Sequence, residues 1–127
     1  MAALSKKFGI TLSKKRWPLD EGGWVEIDGY SQSPLVLCEA WAHIGEPKSA
    51  QKNKVMADAF KLLFVSTLVK GEAKRILLFS DHGAAAHFQG KSWMAKCLRN
   101  YGTIIETIDL PPGLKMQVLE AQKRQYR

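Results

Sequence analysis

Residues 35 to 42 read Leu-Val-Leu-Cys-Glu-Ala-Trp-Ala, an apolar run with a single acid, Glu39, inside it. Near-continuous apolar character over this length marks a strand covered on both faces, as in a sheet with helices packed against it. A carboxylate in such a strand is costly unless it is paired with a cation or coordinates a metal. Glu39 is therefore the residue whose surroundings most constrain the fold; its plainer reading is an acid bridged to a nearby Lys or Arg.

Upstream, Trp24 to Tyr30 has the branched and aromatic bias of a strand, and Gln32-Ser33-Pro34 forms a short turn. A turn of that length implies an antiparallel hairpin. The hairpin brings Asp28 beside Glu39. Two adjacent carboxylates repel unless a cation or proton lies between them, so the pair points to a divalent metal site. On a regular strand Glu26 shares the face of Asp28 and is a candidate third ligand.

Downstream, Glu46-Pro47-Lys48 opens a helix, and Val55, Met56, Ala59, Phe60 and Leu63 follow helical spacing as its buried stripe. Extended backward by threes and fours, the stripe reaches Gln51, Lys52 and Lys48 at the helix start. Lys54 and Lys61 fall off its centre and are expected to face solvent or a phosphate backbone. Arg75 to Phe79 is a third strand, ending in Ser80-Asp81-His82-Gly83. Polar residues at a strand's C-terminal end are a common ligand position. Asp81 and His82, with His87 near them, are thus a rival metal or phosphate site; the plainer reading is a helix cap by Ser80 or Asp81. Ala84 to Tyr101 reads as one helix interrupted by Gly90 and closed by Gly102. Thr103 to Leu110 is a fourth strand, broken by Pro111-Pro112-Gly113, and residues 114–127 form a last helix. Its basic end, with Lys123, Arg124 and Arg127, suits either a phosphate backbone or the negative end of its own helix.

The order of elements is (α)ββαβαβα, an α/β fold with a mixed four-stranded sheet flanked by helices on both sides. Residues 1–23 are a basic N-terminal arm or helix, and 24–127 a single domain. No Gly-rich phosphate loop follows the first strand, which argues against a dinucleotide-binding domain.

With Asp28 on one strand and Glu39-Ala40-Trp41 on the next, the chain resembles the PD-(D/E)XK nuclease superfamily, the restriction-endonuclease-like fold, over roughly residues 24 to 64. The resemblance implies a nuclease acting on DNA, or less readily RNA, with Asp28 and Glu39 holding Mg2+, for which Mn2+ can substitute. Trp41 stands where the motif has its lysine. Members of the family carry a lysine or glutamine moved to the following helix, and Lys48, Gln51 and Lys52 are the counterparts here. The alternative is a silent nucleic-acid-binding or assembly module on the same fold. A homodimer is compatible with either.

Composition agrees with this. The net charge is +7, from 19 Lys+Arg against 12 Asp+Glu, which favours polyanionic partners. Cys38 and Cys97 have no CxxC spacing and are expected as free thiols in a reducing cytoplasm. No apolar run approaches the length of a membrane span, and the start of the chain lacks the apolar core of a secretion signal.

Overall fold

The computed structural model describes residues 9–109 together with 113, 116, 117, 120 and 121. The expected helix at the start of the chain and most of the last helix, with Lys123, Arg124 and Arg127, lie outside the described residues. The elements are β1 (Ser13–Pro18), β2 (Trp24–Gln32), β3 (Leu35–Trp41), α1 (Ser49–Ser66), β4 (Lys74–Phe79), α2 (His82–Gln89), α3 (Trp93–Asn100) and β5 (Ile104–Thr107).

The sheet has five strands in the order β1-β2-β3-β4-β5, not four. β1, β2 and β3 form an antiparallel meander, and β3, β4 and β5 run parallel. The class is α/β as expected; the extra strand lies within the supposed basic arm. Its sequence, Ser-Lys-Lys-Arg-Trp-Pro, has little apolar periodicity because β1 is an edge strand. Lysines and a terminal proline at an edge discourage pairing with other chains.

Both parallel crossovers step in the same direction across the sheet, so right-handed connections place α1, α2 and α3 on one face. There Leu37, Leu77 and Phe79 meet Val55, Leu62 and Val65 of α1, Ala84, Ala85 and Phe88 of α2, and Leu98 of α3. Phe79 and Phe88 stack with ring centres 5.5 Å apart. The opposite face holds Val36, Cys38, Ile76 and Leu78 under Leu12, with Ile10, Ile104 and Ile108 against them. Among the described residues no helix covers that face, so the two-sided arrangement expected from sequence is seen on one side.

The helix read as 84–101 is two helices. Ser92 divides them: its hydroxyl accepts from the Ala95 amide at 3.1 Å, capping α3, and donates to the His87 carbonyl at 2.7 Å. Gly102, at φ 76°, closes α3 with Thr103 N–H returning to the Leu98 carbonyl at 2.9 Å.

α1 is turned on its axis relative to the expected stripe. Gln51, Val55, Ala59, Leu62 and Val65 are buried, whereas Phe60 is 73% exposed. Apolar residues occupy more than half of the circumference of this helix, so their spacing alone cannot select the inward arc. The turn matters for function, because it brings Lys54, Asp58 and Lys61 (i, i+4, i+7) to the flank beside β3.

Candidate functional site

β2 is irregular where the candidate acids lie. Between the pairs Ser13↔Tyr30 and Lys15↔Ile27, β1 advances two residues and β2 three, the count of a β-bulge. The regular β2–β3 register also ends nearby, at Gly29↔Cys38. Beyond it the strands are joined by side chains. The Glu39 carboxylate Oε1 accepts the Asp28 amide at 3.0 Å, and Asp28 Oδ2 accepts the Ala40 amide at 2.9 Å. Each acid thus fills a place that a backbone carbonyl would hold in a continuous ladder. The result is a seam crossed by two carboxylates, each bound to an amide of the opposite strand, with the Asp28 charge acting on Glu39.

The second oxygen of Glu39, Oε2, meets the Lys61 ammonium at 3.0 Å, with the Glu39 side chain 6% exposed and that of Lys61 32%. Of the two surroundings expected for Lys61, solvent or a phosphate backbone, this contact corrects the first. Lys54 lies 5.5 Å from the centre of the Trp41 ring, so it too turns toward β3. Asp58 sits on the same flank of α1, half-buried within the field of Asp28, Lys54 and Lys61. Its carboxyl is pushed above the ordinary range by burial, against the pull of Lys61 and Lys54. Glu39 is also pushed up, first by burial and further by the Asp28 charge, while its bond to Lys61 opposes the shift. Burial also drives the Cys38 thiol on the reverse face up to about 12, with Asp28 and Glu39 adding to the effect. That thiol is therefore inert.

The helix-facing side chains of β3 and the loop after it meet α1 in antiparallel order. Glu39 meets Lys61, Trp41 meets Lys54, and His43 Nδ1 lies 3.2 Å from Gln51 Nε2. Gln51 is buried as expected, but it does not stand with the acids: ten residues of helix, about 15 Å, separate it from Lys61. Its Oε1 accepts the Lys48 amide at 2.7 Å in the first turn of α1. Lys48 is exposed there, and Lys52 lies near His87, whose imidazole is held below its ordinary value by burial and then by Lys52. Of the three residues proposed to replace the motif lysine, none is next to Glu39. Lys61 is.

Glu26 is engaged elsewhere. The bulge breaks the alternation that was to align it with Asp28, and Val25 and Ile27 on either side of it pack toward the helices. Glu26 itself lies 3.7 Å from Arg16. At the rival position, Asp81 Oδ2 accepts the Ala84 amide at 3.0 Å and the Gly45 amide at 2.9 Å, capping α2 and tying down the loop after β3. His82 pairs with Asp109 at 3.4 Å. The helix cap accounts for the Ala84 amide, and the Gly45 amide is a tie to the loop after β3.

Among the described residues, no group of three or more His, Cys, Asp or Glu side chains is placed to hold a metal ion. Asp28 and Glu39 supply two hard oxygen donors. That set suits Mg2+, which keeps several waters and binds through one or two carboxylates; it does not suit zinc, which takes three or four protein ligands. Lys61 is expected from sequence as a solvent or phosphate-backbone residue, and its pairing with Glu39 had one signal there, the i, i+4, i+7 spacing with Lys54 and Asp58. Comparisons with family models, with curated proteins and with solved structures find no match for this chain.

Proposed function

We propose that the protein is a metal-dependent phosphodiester hydrolase acting on nucleic acid, with Asp28 and Glu39 as the metal-binding pair and Lys61 beside them as the site's cation. The observation that carries this reading is the seam itself: two acids on neighbouring strands, each fixed by an amide of the opposite strand, with a lysine 3.0 Å from one of them. Mg2+ bound there would lower the pKa of a coordinated water and stabilise charge on the phosphate. The chain's own part is to hold the two carboxylates rigidly, because the Asp28 and Ala40 amides fix their orientation before any ligand arrives. Lys61 pairs with Glu39 and opposes the upward pull of burial on its carboxyl; with a metal on that carboxylate, its ammonium would offer positive charge toward a phosphate oxygen. Lys54, held against Trp41, adds a second cation on the same flank.

The test is nicking of supercoiled plasmid and cleavage of labelled oligonucleotides with Mg2+ or Mn2+. Asp28→Asn and Glu39→Gln should each abolish cleavage, and Lys61→Met should reduce it by at least tenfold. Cleavage that survives both acid substitutions rejects the assignment.

A second reading is supported by the same ion pair. Lys61 already satisfies the buried Glu39 without a metal, as it would in a non-cleaving nucleic-acid-binding domain. Salt-dependent DNA affinity with no cleavage, and no rise in melting temperature on adding Mn2+, would favour it.

A further inference from the structure

We infer that the aromatic and basic rim of β1 and β2, formed by Lys15, Trp17 and Tyr30, is a platform for single-stranded nucleic acid, leading an unpaired strand to the Asp28–Glu39 seam. This rests on the hydrolase reading for its biological sense, but its evidence is separate. α1 packs over β3 and β4, and β1 and β2 extend the sheet past it on the same face, with Ile27 buried there and Trp17, Val25 and Tyr30 packed at the margin of the core. On that face Trp17 and Tyr30 lie edge to face, 5.3 Å between ring centres. The Lys15 ammonium lies 5.5 Å from the Trp17 ring and 5.0 Å from that of Tyr30. Lys15 is exposed, and both rings are half-buried at the margin of the core. The seam between β2 and β3 therefore has aromatic rings and a lysine on one side, and Lys54 and Lys61 of α1 on the other.

The chemistry selects the ligand. A basic surface alone suits any polyanion. Aromatic rings beside the cation suit bases that are free to stack, which in a duplex are occupied by their neighbours. The contact of an exposed lysine with a ring is weaker than a stacked base. An incoming base can therefore displace Lys15 from the rings and leave its ammonium to meet the adjacent phosphate. A chain of net charge +7 adds attraction over a longer range.

The experiment is fluorescence anisotropy of the intact protein with a labelled oligo-dT of about 20 nucleotides and with a duplex of equal length, in EDTA. The single strand should bind at least tenfold more tightly. Lys15→Ala should lower the salt slope of its binding by about 0.7, and Trp17→Leu should weaken it by about five- to a hundredfold. A melt confirms that each variant is folded; should Trp17→Leu fail to fold, Lys15→Glu decides alone, since Lys15 is exposed. Equal or tighter duplex binding, no binding of either probe, or single-strand affinity unchanged in the folded variants overturns the inference. Without metal the result does not depend on cleavage. A protein that cuts but shows no single-strand preference loses the platform and keeps the hydrolase; one that binds the single strand without cutting does the reverse.

Discussion

Replacing Lys61 by methionine isolates the interaction on which the site depends. The Glu39–Lys61 contact of 3.0 Å, with Glu39 6% exposed, corresponds to a gross attraction of about 5–6 kcal/mol at an effective dielectric constant of about 20. Desolvation of the carboxylate offsets much of this. Removing one partner of a buried pair costs about 3–5 kcal/mol, because the other charge is left without a partner. Lys61 is 32% exposed, so water can reach the gap, and a loss of about 2–3 kcal/mol at pH 7.5 follows. For a chain of this length that lowers the melting temperature by about 6–15 °C. Glu39→Gln keeps an oxygen to accept the Asp28 amide and removes the buried charge; its NH2 then faces the Lys61 ammonium, which is partly exposed and can turn to water, so alone it should cost about 1 kcal/mol. The double variant should then lie within about 1 kcal/mol of the wild type, a coupling of about 2 kcal/mol.

The pH dependence checks the sign. Burial already holds the Glu39 carboxyl above its ordinary value of 4.5, and Lys61 opposes that. Without Lys61 the folded-state value rises further. The folded protein then binds this proton more readily than the unfolded chain, so stability falls as pH rises from about 4.5 through the folded value. The deficit of Lys61→Met should therefore be largest at pH 7.5 and fade toward pH 4.5. Urea melts of the four proteins at both pH values measure it. A single-variant loss below about 0.5 kcal/mol, or one equal at the two pH values, would refute the argument.

Mg2+ or Mn2+ should raise the melting temperature of the wild type, and Asp28→Asn should abolish the rise, as read by differential scanning fluorimetry. Asp81→Ala removes the acceptor for two backbone amides, and a loss of about 2 kcal/mol is expected in urea melts; a negligible loss would reopen Asp81 as a ligand. Phe60→Ser, at a position 73% exposed, should change stability by no more than about 0.5 kcal/mol. The Cys38 thiol, at about 12, should react with a disulfide reagent at pH 8 only on unfolding, whereas the partly exposed Cys97 reacts in the native protein.

What the chain disclosed in advance follows from what each pattern can encode. The run Leu35–Trp41 announced a central strand because both of its faces are apolar, and Glu39 stood out for the same reason. Its neighbour Asp28 followed from the hairpin turn. The partner of Glu39 was not legible, since it depends on how α1 is rotated, and apolar residues from Val55 to Val65 populate too wide an arc to say. Once Phe60 points outward, Lys61 points in. β1 is not legible in the sequence, because an edge strand of lysines and arginine lacks the alternation that reveals a half-buried one. The bulge in β2 was hidden too: Asp28-Gly29 reads equally well as a strand exit, and only the register against β1 shows the extra residue. Glu26 lies beside Arg16 on the neighbouring strand.

The bridging of β2 to β3 by carboxylates has a practical consequence for anyone who sets out to inactivate this protein. Each acid doubles as a rivet between strands where their backbone ladder has ended, so alanine at either position would loosen this end of the hairpin as well as remove a charge, and a lost property could be traced to either. Amide replacements keep the rivet and discard the charge. At this seam, asparagine and glutamine separate chemistry from architecture, and alanine confounds them.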